Sequence, residues 1–317
     1  MDGVAAGILT VDFMGVDVSV LGTWALFVIM VTMGLSLRLA DFKHVLIAPR
    51  AVFLGLAAQL ILLPLVAFML ILLFDPILPV AAGLMILACC PSGATSNFFS
   101  FLARGDVALS IMLTVASGVI VVFTIPILVN LVLDHLTGES RAIHLPVGQA
   151  MLRIFGLIVL PVSLGMAARR IAPRLTAAAQ PWVTRISFAI VLFTMVILLA
   201  YIAEHIGAIL AMAWDVTVAL NLIMMTLGFT LARLAALNVA QARAITIEIG
   251  IQNYLLSVVI AVGLLGQPDF AIVPILYLFI MYVTSLSFIA YCRWFPTGQN
   301  GATDNARKVE HGISGAP

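Results

Sequence analysis

Charge is scarce in this chain: only 9% of its 317 residues are Asp, Glu, Lys or Arg, while 63% are hydrophobic. Apolar runs recur along nearly the whole length, which excludes a soluble globular fold and implies a polytopic, all-α membrane protein. A long polar stretch is missing too. The longest runs from about Pro296 to Pro317 and is rich in Gly, Asn and charge. It leaves no room for a second soluble domain, and its composition predicts a disordered cytoplasmic tail over 295–317. No basic residue precedes Arg38, and residues 1–17 carry Asp2, Asp12 and Asp17. That excludes the positive start of a cleavable signal peptide and predicts an external N-terminus followed by a retained first span.

Cysteine and histidine are equally thin. Of three cysteines, Cys89 and Cys90 are adjacent inside an apolar segment, a pattern that fits neither a disulfide framework nor a zinc spacing and reads as small buried hydrophobes. His44, His135, His144, His205 and His311 all fall in loops or at interfaces, which argues against a histidine proton relay across the membrane. With no metal-ligand spacing and no histidine within a span, a membrane-embedded enzyme has nothing to work with, and no cofactor is expected.

What is there is a series of apolar runs of about 20 residues, nine by count: Val18–Ser36, Ala51–Phe74, Ile77–Phe101, Val107–Leu133, Val147–Ala168, Trp182–Ala203, Val216–Ala236, Ala240–Leu265 and Phe270–Ala290. Cytoplasmic loops collect Lys and Arg. With the N-terminus outside and the C-terminus inside, 13 of the 15 basic residues fall inside or at the inner boundary, leaving Arg141 and Arg153 toward the outer side. Trp24, Trp182, Trp214 and Trp294 read as interfacial anchors.

Two spans are interrupted, and they occupy matching places in the order. The third carries Cys90-Pro91-Ser92-Gly93-Ala94-Thr95-Ser96-Asn97, where Pro and Gly break the helix and polar side chains follow at once. The eighth carries Thr246-Ile247-Glu248-Ile249-Gly250-Ile251-Gln252-Asn253. Spans two to four therefore read as a repeat of spans seven to nine, and the charge count makes the repeat inverted. Paired breaks in inverted halves point to a transport site near the midplane. A carboxylate such as Glu248 costs roughly 2.5–3.5 kcal/mol in lipid on insertion scales, so it faces a protein interior or a watery path. Glu248 lies about 7–8 Å deeper than Arg243 at 1.5 Å per residue. Ser96 and Asn97 sit at a matching depth, and Ser110 and Thr114, four apart, share one helix face. Ser110 and Thr114 could instead be satisfied by carbonyls one turn back. An oxygen-only set of this kind suits a hard cation and not a transition metal. Sodium is the candidate, with a proton on Glu248 as its rival.

The chain resembles the bile acid:sodium symporter family over nearly its whole length. The resemblance is carried by Met33-Gly34-Leu35-Ser36-Leu37 with Asp41-Phe42, by Cys89-Cys90-Pro91-Ser92-Gly93 with Ser96-Asn97, by Leu102-Ala103-Arg104-Gly105-Asp106-Val107-Ala108-Leu109-Ser110, and by Thr246 through Asn253. It implies two discontinuous helices crossing in a core domain (spans 2–4 and 7–9, within residues 18–294) beside a panel domain (spans 1, 5 and 6). It also implies two sodium sites. The first would use Ser96, Asn97, Ser110, Thr114 and Glu248; the second would use Gln59, Glu248 and Gln252 with the backbone carbonyls of Ile249 and Ile251.

Two departures from the family pattern stand out. Ten-helix bacterial members have a first panel helix that this chain lacks. Bacterial bile-acid binders carry a His-Asn pair where this chain has Tyr282-Val283. Candidate substrate contacts are Thr95, Asn253 and Tyr282.

The expected function is a sodium-coupled symporter in the inner membrane of a bacterium, importing a small organic anion: a bile acid, a steroid sulfate, or a smaller carboxylate such as pantoate. Its expected partners are that anion, sodium and the bilayer, with no nucleic acid. A proton-coupled or passive carrier of organic anions or metalloids is the alternative. A passive pore, however, has no use for a buried acid at paired helix breaks.

Overall fold

The computed structural model describes residues 12–13, 16–37, 47–137, 145–202 and 206–294. The described residues are mainly helical, with a two-residue antiparallel pairing of β1 (Asp12–Phe13) with β2 (Val16–Asp17) and an isolated bridge between Ser92 and Gln252. In chain order the helices are α1 (Val18–Ser36), α2 (Pro49–Phe74), α3 (Leu78–Cys89), α4 (Ser96–Leu102), α5 (Val107–Thr137), α6 (Val147–Ile171), α7 (Pro173–Ile202), α8 (Ile206–Leu234), α9 (Val239–Gly250), α10 (Tyr254–Leu264) and α11 (Ile272–Trp294). Among the described residues, six helices are long and apolar enough to cross a membrane: α2, α5, α6, α7, α8 and the run Pro268–Trp294 that contains α11. This is a multi-pass membrane protein. The tail 295–317 and four of the histidines, all but His135, lie outside the described residues.

Several helices outrun the apolar segments that announce them. α7 begins at Pro173 rather than Trp182, α8 at Ile206 rather than Val216, and α5 continues to Thr137 past Leu133. Apolar length tracks the hydrocarbon layer, whereas the backbone hydrogen bonding of a helix continues past that layer until a cap stops it. Pro173 suits the first helical turn, where a missing N–H costs nothing. His135 accordingly sits in the last turn of α5, edge-on to Phe68.

Two sets of helices emerge from the packing. α1, α6 and α7 lie against one another, and α2, α3, α4, α5, α8, α9, α10 and α11 pack among themselves, with α6 also on α5 and α1 also on α10. In the first set α1 and α6 meet at glycine. A Cβ on Gly34 would fall 2.2 Å from the Val162 carbonyl oxygen, and one on Gly165 would fall 2.3 Å from that of Val31. Arg169 at the end of α6 donates to the Leu35 carbonyl at 2.8 Å, placing a cation against the open carbonyls at the C-terminal end of α1. In the second set α9 is buried from Ala242 to Gly250. A capping box formed by Asn238 and Gln241 starts it, satisfying two otherwise orphaned N–H groups.

Candidate functional site

Both predicted interruptions exist, and they meet. Helical hydrogen bonding stops at Cys89 and resumes at Ser96; on the other segment it stops at Gly250 and resumes at Tyr254. The two extended stretches pair as a miniature antiparallel ladder, with Gly93 N donating to Ile251 O at 3.1 Å and Asn253 N donating to Pro91 O at 3.0 Å. Backbone groups freed by the breaks thus satisfy each other. One expectation is corrected here. Glu248 is not in the unwound stretch but inside α9, because Ile251 N still bonds the Ile247 carbonyl at 2.9 Å and carries the helix to Gly250.

Glu248 is 1% exposed, and four hydroxyls converge on its carboxylate. Ser92 Oγ donates at 2.5 Å and Thr114 Oγ1 at 2.5 Å to one oxygen. Ser96 Oγ at 2.9 Å and Ser110 Oγ at 2.7 Å donate to the other. These donors come from the first break, from the first residue of α4 and from one face of α5. An ionised carboxylate accepts at about four lone-pair sites, and four hydroxyls are within reach of them. Three of the four distances fall in the range of charge-assisted O–H···O⁻ bonds, about 2.5–2.7 Å, and the Ser96 contact is longer. Thr114 Oγ1 also lies 3.0 Å from the Ser110 carbonyl, the local partner a membrane threonine ordinarily takes, but the carboxylate is the nearer acceptor. Ser100 Oγ donates to Ser110 Oγ at 3.1 Å and orients it.

Each hydroxyl that gives its proton to Glu248 keeps lone pairs turned away from it. The cluster therefore offers neutral oxygens around one negative charge, the donor chemistry of a hard monovalent cation. Asn97, from the same motif, stands apart from the carboxylate's hydrogen bonds. Its Oδ1 is buried without a hydrogen-bond partner among the described residues, an oxygen that could ligate.

Of the second predicted set, the two amides meet each other. Gln59 lies in a π-helical turn of α2, Ala58–Leu62, a geometry that inserts an extra residue and recurs at functional sites. Its Nε2 donates to Gln252 Oε1 at 2.8 Å and to the Cys90 carbonyl at 3.0 Å. Gln252 Nε2 in turn donates to the Ile249 carbonyl at 2.7 Å. The Ile251 carbonyl is engaged by Gly93 N. The amides thus bond each other and Ile249, and among the described residues the carboxylate's bonds run to the hydroxyl set.

Thr95, Asn253 and Tyr282 line one small cavity with Gly93, Gln252 and the α1 residues Ile29 and Met30. Tyr282 stacks on Phe99 at 5.4 Å and bonds Thr95, while the adjacent Val283 is exposed. Two larger cavities flank this one. The first, about 170 Å³, lies between Thr95, Asn97 and Phe98 of the core side and Thr32, Ser36 and Ser187 of the α1/α7 side. The second, about 130 Å³, is reached by Ser92, Thr114 and Asn253 and closed by Met30, Val162 and Met166. Arg153 is exposed and lies 3.5 Å from the Gly263 carbonyl. Cys89, Cys90 and Cys292 are buried free thiols, and Cys90 Sγ accepts from Ser257.

Matching the chain against known families gives a hit over residues 23–209 to the Sodium Bile acid symporter family. The chain belongs to that family. Its members are defined as symporters and not as enzymes. Similar proteins include the probable chloroplastic sodium/metabolite cotransporter BASS1 of Arabidopsis thaliana, 32% identical over 248 residues, which cover 77% of this chain and 59% of that one. The uncharacterized sodium-dependent transporter YocS of Bacillus subtilis (strain 168) is 29% identical over 228 residues, 71% of this chain and 68% of its own. The human ileal sodium/bile acid cotransporter is 27% identical over 243 residues, 76% and 69%. The chain thus spans less than two thirds of the BASS1 relative it matches.

Sequence reasoning missed Ser92 as a partner of Glu248, although Ser92 lies inside the break motif. It also missed two buried polar residues, Asn221 and Tyr277, which hold the Gly250 carbonyl. Their signal was present as a lone amide and a lone phenol deep in apolar runs.

Proposed function

We propose that the protein is a secondary symporter that imports a small organic anion together with sodium by alternating access. The observation that carries this reading is the buried carboxylate of Glu248, ringed by hydroxyls from the break and from α5. A set of neutral oxygens around one carboxylate, in a chain of the Sodium Bile acid symporter family, supports sodium as the coupling ion. Ser96, Asn97, Ser110, Thr114 and Glu248 would hold one sodium, and Gln59, Glu248, Gln252 and the Ile249 and Ile251 carbonyls a second.

The architecture we infer around these sites has nine spans with the N-terminus outside and the C-terminus inside, in the inner membrane of a bacterium. In it the broken pairs α3/α4 and α9/α10 each make one span, since 12 residues in α3 or α9 fall short of a bilayer. The helices of the second packing set form an inverted-repeat core, and α1, α6 and α7 form a panel. Cavities on both sides of the ladder, walled by panel and core, are where the anion would bind, with Thr95, Asn253 and Tyr282 as contacts. Their volumes, about 170 and 130 Å³, fall below the roughly 300–1,000 Å³ of pockets for drug-sized ligands. That favours a compact carboxylate such as pantoate over a steroid nucleus.

A thermal-shift screen of the purified protein tests the reading, with pantoate, taurocholate and a steroid sulfate each in sodium chloride and in choline chloride. An anion at 100 times its Kd stabilises the fold by about 2.7 kcal/mol. The expected result is stabilisation by the small carboxylate in sodium only. Equal stabilisation in both salts would remove the coupling claim.

A further inference from the structure

The C-terminal end of α9 exposes carbonyls that no further helical turn can bond. Most are taken up locally: Ile247 O by Ile251 N, Ile249 O by the Gln252 side chain. The Gly250 carbonyl is treated differently. It accepts two hydrogen bonds from side chains of two separate helices, Asn221 Nδ2 of α8 at 3.0 Å and Tyr277 Oη of α11 at 3.0 Å. Asn221 Nδ2 also lies 3.0 Å from Tyr277 Oη, closing a triangle. Both residues are 0% exposed.

One donor would satisfy that carbonyl. Two donors from fixed, buried helices set the direction in which it points, and with it the plane of the peptide joining Gly250 to Ile251. Gly250 also packs closely on α8, where a Cβ would lie 2.7 Å from Met225 Cγ. The arrangement has a cost that an apolar pair would not carry: Asn221 Oδ1 is buried with no partner among the described residues. Polar groups that break a packing rule in this way mark functional positions rather than stability.

We infer that Asn221 and Tyr277 are positioning residues for the cation. By clamping the Gly250 carbonyl they fix the peptides on either side of it, and so the aim of the Ile249 and Ile251 carbonyls and of Glu248 one turn back. This rests on the sodium reading of those groups. The clamp touches neither the ion nor the anion.

The test titrates sodium chloride, at constant ionic strength with choline chloride, against the melting temperature of the purified full-length protein and of Tyr277→Phe, Asn221→Leu and Glu248→Gln. Tyr277→Phe removes one hydroxyl and keeps the ring, so it serves even if Asn221→Leu does not fold. The expected result is a sodium midpoint raised about tenfold in Tyr277→Phe, the scale on which groups supporting metal ligands act, with no sodium response in Glu248→Gln. A clamp that served only stability would lower the melting temperature in choline and leave the sodium midpoint where it is. That outcome overturns the inference while the sodium reading stands. Should the unmodified protein itself show no stabilisation specific to sodium, the sodium reading fails and the inference goes with it.

Discussion

At the scale of single residues, Glu248 and its hydroxyls are unequal partners. Removing the carboxylate leaves Ser92, Ser96, Ser110 and Thr114 buried with a shared acceptor gone, and an unmet buried donor costs about 1–3 kcal/mol. Removing one hydroxyl costs the carboxylate one donor of four. Glu248→Gln is therefore expected to abolish sodium-stimulated uptake, while Ser92→Ala raises the half-saturating sodium concentration roughly tenfold, equivalent to about 1.4 kcal/mol. Uptake in proteoliposomes at graded sodium measures both. Normal sodium dependence in Glu248→Gln would remove the carboxylate from the site.

At the scale of elements, the breaks and the glycine crossing do opposite jobs. The breaks leave backbone groups that only a second broken segment can satisfy, so Pro91–Gly93 and Ile251–Asn253 hold each other in place. The α1/α6 contact has no such polar exchange at its centre; it depends on backbones approaching closely, as small residues allow between membrane helices. Gly34→Ala puts a methyl 2.2 Å from the carbonyl oxygen of Val162, where the neighbour is backbone and cannot rotate away. Overpacking of this sort costs about 1–3 kcal/mol. The melting temperature should fall, and the sodium midpoint should stay the same because the hydrogen bonds to Glu248 come from Ser92, Ser96, Ser110 and Thr114 and not from α1 or α6. A shift in that midpoint would mean that the α1/α6 pair is coupled to the cation site.

At the scale of the whole molecule, the proposed stoichiometry has an electrical consequence. Two sodium ions with one monovalent anion carry one net positive charge inward, and each charge crossing 100 mV is worth about 2.3 kcal/mol. That corresponds to roughly fifty-fold greater accumulation. In proteoliposomes with a fixed sodium gradient, an inside-negative potassium diffusion potential should raise the uptake plateau of a monoanion and leave that of a dianion nearly unchanged. Sodium-dependent uptake of a monoanion that ignores voltage would reduce the two sites to one, and the Gln59–Gln252 pair to a structural contact.

Much of this molecule was decided by the sequence alone, because the cost of placing a polar group in hydrocarbon is local. A carboxylate at Glu248, the Pro91–Gly93 break and the hydroxyls four apart at Ser110 and Thr114 each violate an apolar run, and each violation is visible without knowing its partner. Membrane residence and the positions of the breaks follow from that, as does the choice of the groups proposed as hard-cation donors. Tertiary structure alone decided how those groups are paired. The donors to Glu248 lie 134 to 156 residues away in the chain, and no local pattern states that Ser92 joins Ser96 there. Nor does one state that the amide of Gln59 meets Gln252 from 193 residues away, or that Asn221 and Tyr277 close on one carbonyl. The helix also runs two residues past Glu248, since a hydrogen bond from Ile251 outlasts the sequence signal of the break. Desolvation is paid residue by residue and can be read that way, whereas satisfaction requires two groups to meet, and only the folded chain brings them together.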